Sequence, residues 1–214
     1  MSKNRWTTAQ RQLCRSDPIL AGLIRRVGPC TLEPGGEPFP TIAQAIVGQL
    51  ISTLAARTVF ARLLALMHAN GSEVGLTPEA VLASSIDDLR AVGLSGSKVA
   101  SLREVAQRAT DGRLPLDRLQ EIDDATLTTA LTAIKGIGPW TVNMVLMFHL
   151  GRPDVLPVSD FGLRAGVRDL YGLEALPTVA QLVQIAESWQ PWRTVATWYL
   201  WRGRGFVPRS GMDE

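Results

Sequence analysis

Two glycines separated by one residue lie between two apolar helical patterns in the stretch LTAIKGIGPWT, residues 131–141. Gly136 and Gly138 permit backbone angles that side chains forbid, so the chain can turn tightly there. Pro139 follows at the first position of the next predicted helix, where its missing N–H costs nothing. Such a hairpin points backbone N–H groups and a helix N-terminus outward together. That arrangement can bind a phosphate oxygen, although a plain helical hairpin with a glycine cap would show the same spacing.

A single aspartate, Asp160, follows a proline-containing loop in the stretch LPVSDFGLRAG, residues 156–166. Its place before a helical pattern is that of a helix N-cap, which is a common structural role of Asp. The same place suits chemistry, because the helix dipole and backbone N–H donors stabilise a carboxylate anion. Such an anion can stabilise a developing positive charge or orient a water molecule, as carboxylates do in glycoside hydrolysis. The two interpretations are compatible.

The composition indicates a globular protein and excludes several other classes. The chain has 214 residues, of which 46% are hydrophobic and 20% charged, unlike a disordered tail or a disulfide scaffold. Its two cysteines, Cys14 and Cys30, cannot complete a four-ligand zinc or iron–sulfur site between them. No segment has the pattern of a signal peptide or a membrane span, so we expect a cytoplasmic protein without a membrane partner. The formal net charge of +2 excludes binding to nucleic acid by bulk charge alone.

Helical patterns dominate the chain, and no stretch alternates convincingly with the period of two that a half-buried strand needs. The predicted fold class is therefore all-α. Thr41 has the spacing of a capping box, and we expect the proline-rich stretch before it, residues 28–40, to be irregular. Gly48 interrupts the helix that follows, and Ser52 offers a second N-cap, so we expect two helices joined by a turn. Two further N-caps are predicted, at Thr77 and Ser85.

Four segments, taken in order, carry a resemblance to a known family. They are IVGQLIS (residues 46–52), GIGPWT (136–141), the Asp160 loop and WQPWRTVATWYLWR (189–202). Together they resemble the helix–hairpin–helix DNA glycosylase superfamily, and in particular its 3-methyladenine DNA glycosylase II branch. The resemblance implies a monofunctional enzyme of base excision repair that flips out alkylated bases, 3-methyladenine among them, and hydrolyses the N-glycosidic bond. The implied partner is double-stranded DNA containing alkylated bases, and we expect a monomer.

The resemblance also implies roles for residues around the flipped base. Asp160 would be the catalytic residue. Trp140 would stack on the alkylated base, because an electron-rich indole attracts a cationic ring, and Trp201 would form a second wall. Met144 stands where relatives often carry an aromatic residue, so the base pocket would be softer here. In bifunctional relatives a lysine replaces Trp140 and forms a Schiff base, so we expect no lyase activity.

Other residues would contact the DNA duplex. Leu50 matches the residue that the family inserts into the gap left by the flipped base, and Gln49 lies beside it. Without the resemblance, a leucine at this position would be assigned to the core. In the hairpin, Gly136, Gly138 and Thr141 would bind the DNA backbone.

The family also implies a cation and a division of the chain. The backbone carbonyls of Thr132, Ile134 and Ile137 match those that hold a structural Na⁺ or K⁺ in relatives, and no cofactor is expected to be required. We expect one helical lobe at residues 40–150, which carries the hairpin. The second lobe would combine residues 1–39 with 151–214 and carry Asp160, with an active-site cleft between the lobes.

Two alternatives remain at this stage. In the first, the hairpin only recruits the protein to DNA and Asp160 is a helix cap, which would make the chain a non-catalytic binding module. In the second, the chain is a glycosylase–lyase of the endonuclease type, but the absent hairpin lysine and the absent cysteine cluster count against it. The range of excised lesions is open, and includes 7-alkylguanine, 1-alkyladenine, 3-alkylcytosine, ethenoadenine and hypoxanthine.

Overall fold

The structure is a computed structural model that describes residues 5–72 and 75–205. These residues form helices and no β-strand, which confirms the predicted all-α class. None of the helices in the described part is long and apolar enough to cross a lipid bilayer. The chain separates into two compact units. The central unit is Gly35–Leu150, and the terminal unit combines the described residues up to Pro34 with those from Gly151 onward.

The central unit contains seven of the described α-helices and one 3₁₀ segment. The α-helices are α3 (Pro38–Gly48), α4 (Thr53–Ala69), α5 (Pro78–Ala83), α6 (Ile86–Ala91), α7 (Gly96–Thr110), α8 (Asp124–Thr132) and α9 (Pro139–Phe148), and the 3₁₀ segment is Leu116–Glu121. The core of this unit forms where α3 packs against α7 and α9, and α5 packs against α7. The side-chain oxygens of Ser52, Thr77 and Ser85 cap α4, α5 and α6, which confirms all three predicted N-caps.

Helix α3 begins earlier than the sequence pattern predicts. Its N-cap is Glu37, Pro38 occupies its first turn, and the Thr41 hydroxyl donates to the Glu37 carbonyl from within the helix. The prediction of a cap at Thr41 was therefore wrong, because a proline with its fixed φ starts a helix without losing a needed N–H.

The central unit also begins at Gly35 rather than at residue 40. The Gly35 N–H donates to the Phe148 carbonyl at 2.9 Å, which joins this segment to the end of α9.

The terminal unit is built around one buried helix. Its elements are α1 (Thr7–Ser16), α2 (Pro18–Val27), α10 (Phe161–Tyr171), α11 (Val179–Ile185), a 3₁₀ segment (Ala186–Trp189) and α12 (Arg193–Gly203). Every residue of α12 from Thr194 to Trp201 is buried, and the helix packs against α2 and α10. A helix that is buried on all sides serves as a fixed support for the segments around it.

Asp17 provides a second fixed point in the terminal unit. Its side chain is 5% exposed, caps α2 by accepting from Leu20 N, and accepts from the Trp189 indole at 2.9 Å. The Tyr171 hydroxyl, at the last residue of α10, donates to the same carboxylate. Burial, together with this hydrogen bond, raises the pKa of the Tyr171 phenol, which therefore stays protonated as a donor. The carboxylate thus connects the start of α2 to the end of α10.

We expect Asp17→Ala to lower the free energy of unfolding by roughly 3 kcal/mol, because the substitution leaves buried donors without an acceptor. Thr178→Ala is the matched control, since Thr178 is an exposed N-cap of α11 in the same unit. Loss of an exposed cap typically costs about 1 kcal/mol. Urea denaturation of both variants measures the difference. Equal losses would show that the buried network adds nothing beyond the cap.

Candidate functional site

Asp160 lies at the N-terminus of α10, as the sequence predicts, and is half-buried. Two N–H groups donate to the same carboxylate oxygen, Oδ1. They are the backbone N–H of Leu163 at 2.5 Å and the indole Nε1–H of Trp201 at 2.8 Å. N–H donors and a helix N-terminus are surroundings that suit a carboxylate anion. The indole thus fixes the orientation of the carboxylate, a contact that sequence reasoning missed when it assigned Trp201 only to a pocket wall.

The loop that leads to Asp160 is fastened to the first turn of α12. Arg193 forms a bidentate ion pair with Asp154, with both N···O distances at 2.7 Å. The Thr194 hydroxyl donates to the Arg152 carbonyl at 2.7 Å and accepts from the Val155 N–H at 3.0 Å. The same helix therefore holds the loop through its first turn and the Asp160 carboxylate through Trp201.

Gly162 leaves room for the contact between Asp160 and Trp201. A methyl group placed on Gly162 would lie 3.1 Å from both Asp160 Oδ1 and Trp201 Nε1. That separation is too short for an ordinary contact, so one of the two side chains would have to move. Glycine is a poor helix former, and its presence in the first turn of α10 was the signal in the sequence that something approaches closely there.

The predicted hairpin lies between α8 and α9 in the central unit. Gly136 has φ +88°, and a methyl group on it would lie 2.4 Å from the Ser101 Oγ of α7. That hydroxyl donates to the Lys135 carbonyl at 2.7 Å, so the turn is held close against α7. Glycine is required at position 136 for two reasons. The backbone has a positive φ, and Ser101 occupies the space that a side chain would need. Gly138 is the N-cap of α9, and Pro139 follows it in the first turn, as the sequence predicts.

The turn after α3 is tied to this hairpin by one side chain. The Gln49 amide donates to the Gly136 carbonyl at 3.0 Å and to the Thr141 hydroxyl at 2.8 Å. Thr141 is buried, and its hydroxyl accepts this hydrogen bond within the central unit. The structure thus brings Gln49, Gly136 and Thr141 together, and their predicted contacts with DNA remain predictions.

Leu50 points away from the core of its unit. Its exposed fraction is 104%, and its φ of +57° is the only positive value among the described residues other than glycine. The assignment to the core, which the sequence alone would favour, is therefore excluded. A left-handed backbone is strained by about 1–2 kcal/mol for such a residue, and strain of this kind persists only where surrounding contacts enforce it.

Lys98, which the sequence analysis did not single out, supplies such a contact. Its ammonium donates to the carbonyls of Val47 and Gln49 at 2.8 and 2.9 Å. Partial burial lowers the pKa of this lysine. Lysine is rare in this arginine-rich chain, and this rarity was the only signal in the sequence that pointed to Lys98. It does not indicate which groups the lysine binds.

The remaining predicted residues lie on α8, α9 and the hairpin between them. Trp140 is half-buried and its ring reaches the end of α3, since a methyl group on Gly48 would lie 3.8 Å from Cη2 of the indole. Met144 is buried. Among the three carbonyls predicted to hold a cation, that of Ile134 accepts the Ile137 N–H at 3.0 Å within the turn.

The chain is similar over most of its length to known base excision repair proteins. Residues 43–191 match the HhH-GPD superfamily of base excision DNA repair proteins. DNA-3-methyladenine glycosylase 1 of Schizosaccharomyces pombe is 35% identical, over 92% of this chain and 86% of that protein.

Solved structures show the same similarity. A 3-methyladenine DNA glycosylase of Schizosaccharomyces pombe in complex with abasic DNA has a TM-score of 0.85 and 32% identity, covering 92% of this chain and 96% of that one. A DNA-3-methyladenine glycosidase of Bacillus halodurans has a TM-score of 0.75 and 34% identity, covering 92% of this chain and 89% of that one.

We expect Gly136→Ala to destabilise the protein by roughly 2–4 kcal/mol, because it combines a strained φ with a clash against Ser101. Gly112→Ala is the matched control. Gly112 also has a positive φ, +78°, but a methyl group on it would meet nothing within 4 Å. The control should lose only about 1 kcal/mol, since the backbone term alone remains. Chemical denaturation measures both values, and a loss no greater than that of the control would contradict a close approach of Ser101.

Proposed function

This chain belongs to the HhH-GPD superfamily of base excision DNA repair proteins, and we propose that it is a monofunctional DNA glycosylase for alkylated bases. It would flip 3-methyladenine and related bases out of duplex DNA and hydrolyse their N-glycosidic bonds. The similar proteins named above, which are 3-methyladenine DNA glycosylases, support the substrate class. The protein would act as a monomer in the cytoplasm, where it has access to DNA.

The observation that carries this proposal is the anchored carboxylate of Asp160. Oδ1 receives two N–H donors, from Leu163 and Trp201, and the residue stands at the start of α10. A helix cap alone needs only the backbone donor. The added indole donor, on a buried helix, holds the carboxylate in one orientation, as catalysis by a fixed charge requires. This arrangement favours an enzyme over a binding module.

The reaction needs only a fixed negative charge and a water molecule. An alkylated purine such as 3-methyladenine carries a positive charge, so it takes the bonding electron pair and leaves as a neutral base. Positive charge then develops on the deoxyribose, where the Asp160 carboxylate stabilises it. Water adds at C1′ and loses one proton, which completes the hydrolysis. The carboxylate can also orient this water, and no general acid is needed for so good a leaving group.

Two indoles would recognise the base and determine the reaction type. We assign Trp140 to stacking on the cationic base and Trp201 to a wall of the base pocket, with Met144 lining it. Because residue 140 is an indole, it offers no amine for a Schiff base with the sugar, and the proposed enzyme does not cleave the strand.

The hairpin and the turn after α3 would bind the duplex. Backbone N–H groups at Gly136 and Gly138 suit a phosphate oxygen, and the exposed Leu50 suits insertion into the base stack. The backbone carbonyls of Thr132, Ile134 and Ile137 suit a monovalent cation, because a neutral carbonyl oxygen has two lone pairs and can bind an ion while it accepts one hydrogen bond, as the Ile134 carbonyl does from the Ile137 N–H. A Na⁺ or K⁺ ion there would help to bridge the hairpin to a DNA phosphate, and the reaction itself requires no cofactor.

We expect Asp160→Asn to lower the release of methylated bases by roughly a hundredfold or more, because the fixed charge is lost. Asn is also a good N-cap, so the variant should keep α10 and unfold at nearly the same temperature. DNA treated with a methylating agent is incubated with each protein, and released bases are separated by chromatography. Asp87→Asn is the control, since it removes the same charge from an exposed position on α6.

The products also distinguish the alternative functions. Free methylated purines without strand cleavage support the proposed monofunctional reaction. Release by Asp160→Asn at the wild-type rate would contradict the role of Asp160. Salt-sensitive DNA binding without release by any of the proteins would favour the non-catalytic binding module.

We expect Trp201→Phe to lower the release rate about tenfold, because it keeps an aromatic ring but removes one hydrogen bond to a charged group. Trp198→Phe is the control. Trp198 is also buried on α12, where it packs edge-on against Tyr199. Its replacement by Phe should leave the release rate nearly unchanged. Single-turnover rates on the same methylated DNA give the comparison. An equal fall in both variants would attribute the effect to packing of α12.

A further inference from the structure

The peptide bond between Gln49 and Leu50 is held by a lysine from another helix. Lys98 lies in the first turn of α7, and its ammonium donates to the Gln49 carbonyl at 2.9 Å. That carbonyl belongs to the planar peptide unit whose nitrogen is that of Leu50. Fixing the carbonyl therefore restrains the dihedral angles on either side of the plane, one of which is the φ of Leu50.

The second bond of Lys98 restrains the same turn from its other side. The ammonium donates to the Val47 carbonyl at 2.8 Å, near the end of α3, where backbone carbonyls lack partners within the helix. A cation at a helix C-terminus is also favoured by the helix dipole. Through these two hydrogen bonds, Lys98 connects the last turn of α3 to the peptide group between Gln49 and the exposed Leu50.

Helix α7 thus holds both of the surfaces assigned to DNA. Ser101, which follows Lys98 by one turn of α7, donates to the Lys135 carbonyl of the hairpin at 2.7 Å. The Gln49 side chain completes the connection by donating to the Gly136 carbonyl at 3.0 Å. The positions of the hairpin and of the Leu50 turn are therefore set by one helix.

We propose that Lys98 is a positioning residue for base flipping, which holds Leu50 in its strained, exposed position so that it can fill the gap in the base stack. This inference rests on the proposed function. The strained backbone of Leu50 would relax if its peptide plane were free, and the side chain would then no longer be presented. Lys98 acts before contact with DNA, by lowering the conformational freedom that insertion would otherwise remove.

A direct contact between Lys98 and a DNA phosphate is the competing explanation. The two make different predictions, because a phosphate contact serves paired and unpaired lesions alike. A wedge is needed only where a base must leave a stacked, paired position. The ratio of the rates on paired and unpaired lesions therefore separates them.

The test uses the full chain and one lesion that the wild-type protein releases. The lesion is placed in a duplex opposite its normal partner base, and again in an unpaired bulge. We expect Lys98→Met to lower the single-turnover rate on the paired lesion roughly tenfold and to change the unpaired rate less than about twofold. Leu50→Ala should show the same selectivity, and the double variant should lose no more than either single variant, because both changes remove one function.

Arg103→Met is the matched control on the same helix. Arg103 also donates from α7 to backbone carbonyls at a helix end, but those carbonyls belong to Val81, Leu82 and Ser84 at the end of α5. The Arg103→Met variant should have a lower melting temperature, but the ratio of its rates on the paired and unpaired lesions should be that of the wild type. Lys98→Arg, which retains several N–H donors, should recover part of the paired rate. Equal losses on both lesions, or the same ratio change in Arg103→Met, would overturn the proposal.

A second measurement does not depend on bond cleavage. The fluorescence of 2-aminopurine in a duplex rises when the base leaves the stack, and we expect a smaller rise with Lys98→Met than with the wild type at saturating protein. If the wild type releases no base but raises this fluorescence, the proposed reaction fails while the role of Lys98 is still measured. If the wild type releases bases and Lys98→Met leaves the rate ratio and the fluorescence unchanged, only the role of Lys98 is wrong.

Discussion

The hydrogen bond from the Trp201 indole to Asp160 Oδ1 is the contact on which the orientation of the proposed catalytic carboxylate depends. The carboxylate lies at the junction of a loop and a helix, where it also accepts from the backbone N–H of Leu163. The indole donor comes from α12, which is buried from Thr194 to Trp201 and cannot move without disrupting the core of the unit. The same helix holds the preceding loop about 10 Å away through Thr194, seven residues earlier. Both ends of the segment that presents Asp160 are therefore fixed by one rigid element.

In the central unit, α7 holds irregular segments in place as α12 does in the terminal unit. The hairpin and the turn that presents Leu50 are irregular segments, whose carbonyls are not all satisfied by helical hydrogen bonds. Lys98 and Ser101 donate to carbonyls in each of them, and Gln49 joins the two. In both units, side chains of a regular helix donate hydrogen bonds to the irregular segment to which we assign a function. Rigid support of this kind is what allows a loop to hold a strained or charged residue in place.

The charge distribution agrees with binding to DNA through local geometry. A net charge of +2 provides little long-range attraction to a polyanion. Backbone N–H groups at a hairpin can bind phosphate without adding a formal charge, and they would not neutralise the carboxylate to which we assign the catalytic role. In the proposed function, a cationic alkylated base is attracted both to an indole face and to this carboxylate, so the features assigned to recognition would also assist the departure of the base.

The sequence by itself determined the features that depend on neighbouring residues. The N-caps at Ser52, Thr77 and Ser85, and that at Asp160, follow from side chains that bond to N–H groups three residues away. The helical class follows from patterns of the same short range, and the family resemblance follows from four short segments taken in order. Local signals failed at Thr41 because Pro38, upstream, starts the helix first.

Only the tertiary structure decided which distant residues meet. The indole that orients Asp160 is 41 residues away from it, and Lys98 is 49 residues from the carbonyl that it holds. No local pattern specifies such pairs, because a helical period shows which face is buried but not which residue of another helix it contacts. The exposure of Leu50 depends in the same way on a distant residue, since Lys98 of α7 holds the peptide that precedes Leu50.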